Sequence, residues 1–275
     1  ESYRRDGAEI IDIGCLPNQP FPHLSETIQE LKKNKFYVSV DSHNLEEIVE
    51  GSKSGADYVL SLKKENINII ESIDATPVLI PNSTDDIDSL YWCIDKCIKE
   101  NKKFIADPIL DPINYGFTNS LVRYHQLRKD YPKIDIMMGI GNLTELTHAD
   151  TTGITAMLMG IITELKINHI LTAQVSNHCR TVIKETDLAR RIMYAASSNN
   201  ITPKHINPGL LVNHASDKNM MDKADIDHLY KQLQLLNRQK HQLNSIDFSK
   251  KNHTASIGSL VKTNNGTYLI SIGFG

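Results

Sequence analysis

The sequence predicts an α/β protein: a (β/α)8 TIM barrel lacking its first strand in this chain, followed by a helical and β-hairpin accessory segment. Three observations predict it. Seven short apolar runs alternate strictly with longer amphipathic ones, as in a parallel sheet with right-handed crossovers. The count is one short of eight, and the chain opens on a helical pattern, Glu1–Arg5, where the helix after a first strand would fall. No glycine-rich dinucleotide fingerprint follows any run, which disfavours the doubly wound open sheet that shares the alternation.

The strands are expected at Glu9–Ile13, Tyr37–Val40, Tyr58–Leu62, Pro77–Ile80, Phe104–Ala106, Ile134–Met138 and His169–Thr172, each bounded by polar residues or by Gly and Pro. Helices are expected near 24–34, 44–53, 66–73, 85–100, 119–129, 152–165 and 181–197. Ser25, then Ser83 with Thr84, then Asp150 with Thr151 stand where capping residues open helices. After about residue 200 the character changes. Ile201–Lys218, rich in Pro, Asn and His, reads as a loop, and Asp222–Leu243 as a long polar helix with Ile226, Leu229, Leu233 and Leu236 at helical spacing. Ala255–Val261 and Tyr268–Ile272 read as a hairpin joined through Asn265-Gly266. The expected organisation is a barrel over residues 1–200 and an accessory segment over 201–275, the start of a second domain cut short.

A formal net charge of −3 gives no reason to expect nucleic acid or an anionic membrane as partner. The longest apolar run, Ile154 to Ile162, is under half the roughly 20 residues that span a bilayer. The first residue is Glu1 and no signal-peptide pattern follows, so the expected compartment is cytoplasmic and an amino-terminal part of the natural protein is expected to be missing. Four scattered cysteines make no disulfide framework, and Cys93 and Cys97, four apart in an apolar helix, read as small core residues.

In such a barrel, polar residues at the carboxyl ends of strands face the ligand pocket. Those residues are Asp12 with Gly14, Asp41, Ser61, Asp107, Asn114 beyond it, Asn142, and Thr172 with Gln174. Carboxylates at several strand ends around one mouth suit a ligand that donates paired N–H groups, as a 2-amino-4-oxo-pteridine does. A divalent cation such as Mg2+ is the competing use for Asp41 and Asp107. Each residue also has a purely structural reading. Asp12 would serve backbone N–H groups, Asp41 would cap the helix near Asn44, and Asp107 and Asn142 would start turns. His43, two residues past a strand, reads as a solvated loop residue. A Schiff-base aldolase lacks its desolvated lysine, because Lys63 and Lys64 sit in a charged run with Glu65. No strand supplies the paired histidines of a zinc hydrolase.

Five segments resemble the dihydropteroate synthases and the related pterin-binding methyltransferases, in order and spacing, over residues 1 to about 197. Gly7–Gly14 is similar to their second strand, Val38–Ser42 to the third with its pterin-binding Asp, and Gly55–Val59 to the approach to the fourth. Phe104–Pro108 is similar to the sixth strand, whose Asp-Pro holds the amino-pyrimidine edge, and Met138–Asn142 to the seventh strand and its loop. The resemblance implies a pterin held by Asp41, Asp107 and Asn142 with Asp12 in support, and Ser61, Asn114 and Gln174 beside them. Several family residues are replaced. Leu60 with Ser61 stands for an Asn, Gly141-Asn142-Leu143 for Ser-Arg-Lys, Thr172 and Gln174 for an Arg and a His, and Cys15–Pro20 for a Ser-Thr-Arg-rich loop. An Asn at position 142 is what the methyltransferase branch carries.

The chain is also similar to a divergent group of dihydropteroate-synthase-related archaeal and methylotroph proteins. The implied function is binding of, and action on, a reduced pterin in tetrahydromethanopterin- or folate-type metabolism, as a transferase. The alternatives are a methyl-pterin-dependent methyltransferase, with a corrinoid protein as partner, and a non-catalytic pterin-binding or scaffolding subunit. A homodimer is compatible with each.

Overall fold

The computed structural model describes residues 1–16 and 19–211 and, beyond them, the backbone of the strands 256–263 and 266–273. The chain divides into two units, residues 1–213 and 214–275. The first runs α1 (Ser2–Arg5), β1 (Ile10–Gly14), α2 (Leu24–Lys33), β2 (Tyr37–Asp41), α3 (Leu45–Lys53), β3 (Tyr58–Leu62), β4 (Thr76–Leu79) and α4 (Ile87–Lys99). It continues with β5 (Ile105–Ala106), α5 (Phe117–Asp130), β6 (Asp135–Gly139), α6 (Gly141–Thr144), α7 (Thr151–Glu164), β7 (His169–Leu171) and α8 (Val182–Ser198). All seven strands run parallel in one sheet whose order is the chain order, β1 to β7.

Alternation along the strands divides the core in two. Val59, Leu79, Ala106, Ile136 and Met138 face outward and pack against Ile48, Leu90, Ile94, Tyr124, Leu127 and Leu158 of the helices. Ile13, Val38 and Val40 do the same against Leu24 and Ile28 of α2. The inward set is Leu60, Val78, Ile105 and Met137, with half-buried Tyr58 and Leu171 against them. Those side chains meet only because the sheet curls: the rings of Tyr58 in β3 and His169 in β7 stand 6.1 Å apart, edge to face. The architecture is a seven-stranded partial (β/α) barrel, with β1 and β7 as the ends of the strand order. No helix among the described residues is long and apolar enough to cross a membrane.

Each expected strand is present, shifted by at most one residue at an end. The connection expected as a helix near 66–73 is a 3-10 turn, Ile67–Glu71, and the loop after α8 holds a further 3-10 turn at Pro208–Leu210. The caps differ from expectation. Ser25 lies inside α2, which starts after His23, and Asp86 rather than Ser83 or Thr84 caps α4 by accepting from the backbone N–H of Ser89. Asp150 precedes α7 without a side-chain bond. Cys93 and Cys97 are fully buried in α4.

In the second unit, β8 (Ser256–Thr263) and β9 (Gly266–Gly273) pair antiparallel, from Ser256 with Gly273 to Thr263 with Gly266. Gly266, expected in the connection, belongs to the ladder. The long polar helix expected over 222–243 lies outside the described residues.

Candidate functional site

Because the strands are parallel, their carboxyl ends and following loops gather at one end of the barrel. Period-two alternation turns Asp12 of β1, Ser39 and Asp41 of β2 and Asp107 after β5 toward the interior, as it does Leu60 and Met137. Asp12 pairs with Ser39 in the ladder, and the Ser39 hydroxyl donates to Asp12 Oδ1 at 2.5 Å. The next strand repeats the device: Ser61 Oγ donates to Asp41 Oδ1 at 2.6 Å. Ser61 achieves this from a left-handed backbone, φ +67°, where the β3–β4 register shifts.

Asp107 is held more completely. Tyr124 of α5 donates its hydroxyl to Oδ1 at 2.6 Å, and the backbone N–H of Ile109 donates to the same oxygen at 2.8 Å. Both side chains of that pair are buried, Tyr124 fully. Arg123, the neighbour of Tyr124, fixes the loop itself. It bonds the carbonyls of Pro108 and Ile109 and forms a 2.7 Å ion pair with buried Asp111. Asp111 in turn crowds Gly116, at φ +115°, where a Cβ would come within 3.0 Å of its carboxylate. Ile109 sits at φ +65°, a conformation costly for a β-branched residue, on the order of 1–3 kcal/mol.

One feature unites the three aspartates. Each has Oδ1 engaged by a protein hydroxyl, while Oδ2 accepts no hydrogen bond among the described residues. Burial pushes Asp107 up to about 6, against the bonds from Tyr124 and Ile109 and the nearby charge of Arg123. Asp12 is exposed at the strand end, yet desolvation by the groups around its carboxyl pushes it up to about 6; the Ser39 bond opposes this and the charge of Asp41 adds to it.

The other expected residues lie on loops at the same end of the barrel. Asn142, exposed at the start of α6, donates to the carbonyl of Leu110 at 2.7 Å and so ties the loop after β6 to the Asp107 loop. Gln174 is turned to the carbonyl of Arg180. Asn114 is exposed with φ +69°, and His43 is exposed. Asn44, not Asp41, caps α3, which removes the structural reading of Asp41. Asp107 does open a turn, through Ile109, as its structural reading requires, while Tyr124 holds it from behind. Two buried polar atoms at β7 and just beyond it, His169 Nδ1 and Thr172 Oγ1, have no partner among the described residues. Among the described residues no three His, Cys, Asp or Glu side chains converge on one point.

Sequence reasoning missed Ser39, Ile109, Tyr124 and Arg123. Ser39 was readable, two residues before Asp41 and so on the same face. It also missed two glutamates that hold loops, one buried and one half-buried. Glu47 of α3 accepts from the backbone N–H of Phe21 and from Ser42 Oγ, and Glu145 accepts from the N–H groups of Val175 and Ser176.

No model of a known protein family matches the chain. A protein of Methanocaldococcus jannaschii described as uncharacterised is 30% identical over 231 residues, 76% of this chain; the chain spans 43% of that relative's length. Solved structures with the same architecture include a dihydropteroate synthase from Coxiella burnetii in complex with pteroic acid, with TM-score 0.58, 17% identity, 72% of this chain and 83% of that one. The synthase from Anaplasma phagocytophilum with bound 6-hydroxymethylpterin-monophosphate gives TM-score 0.53 and 17% identity over 70% of this chain and 91% of that one. The Xanthomonas albilineans synthase gives TM-score 0.56 and 13% identity over 72% of this chain and 83% of that one. The seven-strand unit of this chain therefore has the dihydropteroate synthase fold.

Proposed function

We propose that this barrel binds a reduced pterin at the carboxyl ends of its strands, with Asp107, Asp41 and Asp12 as the acceptors of its N–H groups. The observation that carries the reading is the shared state of the three carboxylates, each held at Oδ1 and open at Oδ2. Such groups are acceptors only, and a 2-amino-4-oxo-pteridine edge is a matching row of donors. The fold supports the reading, since synthases of the same architecture have been solved with pteroic acid and with a hydroxymethylpterin phosphate. Asp107 is the principal anchor, because its orientation is fixed by Tyr124 behind it and by Arg123 around its loop. Ser61 completes the Asp41 side, and Asn114 and Gln174 stand on neighbouring loops.

The metabolic setting we favour is tetrahydromethanopterin- or folate-type cofactor chemistry, as a transferase. A methyl-pterin-dependent methyltransferase, working with a corrinoid protein, is the second reading. It is favoured by Asn142, whose amide lies one hydrogen bond from the Asp107 loop.

Calorimetric titration with 6-hydroxymethyl-dihydropterin and with tetrahydromethanopterin tests the proposal. We expect saturable binding to at least one of them. Asp107→Asn turns an acceptor oxygen into a donor that faces the ligand's donors, so it should weaken binding by about 30-fold or more, roughly 2 kcal/mol. Absence of binding, or binding that Asp107→Asn leaves intact, refutes it. Pyrophosphate release with an aryl amine would establish a synthase, and methyl transfer to a corrinoid protein the second reading.

A further inference from the structure

The charges at the two ends of the barrel are unevenly distributed. At the carboxyl end, three strand-to-helix segments carry acids and neither Lys nor Arg: Asp85 and Asp86 in 80–86, Asp107 and Asp111 in 107–116, and Glu145 and Asp150 in 140–150. Asp12 and Asp41 add two more carboxylates from the strand ends. Of these, Asp111 is neutralised by Arg123. The cations on this face are few. The described loops at this end hold three: Lys63, Lys64, which lies over the ring of Trp92 at 5.2 Å from its centroid, and Arg180, which bonds Asn177. The helix-to-strand segments at the opposite end carry both signs in equal number: Lys35, Lys102, Lys103, Lys133 and Lys166 stand beside Asp6, Glu9, Asp57, Asp74 and Glu100. Acid and base balance at the foot, and the excess of carboxylates lies at the mouth.

The helix N-termini that point to the mouth oppose this field only weakly. Each contributes about half a positive charge confined to its first turn. At α3 and α4 the side chains of Asn44 and Asp86 already accept from that turn. The field is felt within the site itself: besides desolvation, and against the bond from Ser39, the charge of Asp41 pushes the Asp12 carboxyl upward.

Resting on the pterin reading, we infer that this site selects its ligand by charge, taking an unphosphorylated, neutral or cationic pterin and rejecting phosphorylated, anionic pterins. A phosphate or pyrophosphate carried into a mouth lined with carboxylates meets repulsion that no described cation cluster offsets, whereas a neutral pterin ring loses nothing.

The experiment compares 6-hydroxymethyl-7,8-dihydropterin with its pyrophosphate ester, titrated into the protein without Mg2+ at low and at moderate ionic strength. The alcohol should bind at least roughly tenfold tighter at low salt, and the gap should narrow as salt screens the repulsion. The double variant Asp85→Lys, Asp150→Lys replaces two exposed carboxylates that make no side-chain bond among the described residues. It should recover affinity for the pyrophosphate ester and leave that for the alcohol unchanged. A pyrophosphate ester that binds as tightly as the alcohol, or an ester affinity blind to both salt and the double variant, overturns the inference while leaving the pterin reading intact. If neither compound binds, the pterin reading itself fails.

Discussion

At the scale of single residues, the proposed site is a set of carboxylates whose orientation is decided by their neighbours. Asp107 carries the clearest consequence for pH. Its folded value is raised from 3.8 to about 6, so the unfolded chain gives up this proton more readily than the native one. Stability from this group is therefore fully present below about 4 and falls as pH rises toward and through 6, by on the order of 3 kcal/mol. Asp107→Asn keeps an acceptor for Tyr124 and Ile109 but cannot ionise. Urea denaturation should find it close to wild type at pH near 4 and more stable at pH near 7; a variant less stable at both would refute the assignment. Ile109 offers a second test. Asn tolerates the left-handed backbone that Ile109 adopts, so Ile109→Asn should hold or raise the urea midpoint while weakening nothing in the Asp107–Tyr124 bond. A loss beyond about 1 kcal/mol would show that the half-buried side chain matters more than the strain.

At the scale of elements, loops are held by two glutamates, one on a helix and one just past the end of α6. Glu47 fastens the loop after β1 from α3, and Glu145 fastens the loop after β7 from beyond β6. Burial pushes Glu47 up, yet the bonds from Ser42, Phe21 and Cys15 prevail and hold it below its usual value. Its contribution is present above about 4.5 and is lost as pH falls through that lowered value. Glu47→Gln should cost about 1–3 kcal/mol at neutral pH, with the difference shrinking on acidification, as read from denaturation midpoints at several pH values. The strands were legible in the sequence because buried parallel strands are short apolar runs, and Asp12, Asp41 and Asp107 were legible because they end those runs. Tyr124 and Arg123 were not, since their partners lie 17 and 12 residues away and helical spacing alone says only which face is buried. Backbone signs such as φ at Ser61 and Ile109 leave no mark in composition, and both residues are poor guesses for a left-handed position. The misplaced caps have the same origin: several Ser, Thr and Asp stand near each helix start, and only the packed backbone selects one.

At the scale of the whole molecule, a parallel barrel with two ends to its strand order has unequal protection. Central strands are bonded on both sides, whereas β1 and β7 have one neighbour each among the described strands. Native-state hydrogen exchange should show amides of β3 to β5 opening only near the global unfolding free energy, and half of those in β1 and β7 exchanging far sooner. Uniform protection across all seven would mean that both ends are covered in solution. The strand order has a further consequence, for the way the molecule is made. Every ladder joins segments that follow one another in the chain, with paired residues such as Tyr58 and Thr76 or Met137 and His169 only 18 to 32 positions apart. Among the described strands none waits for a distant one, so closing each ladder costs little loop entropy. The sheet can grow in the direction of synthesis, each strand–helix unit docking on the last as it leaves the ribosome, and the acidic mouth is complete only when β7 arrives.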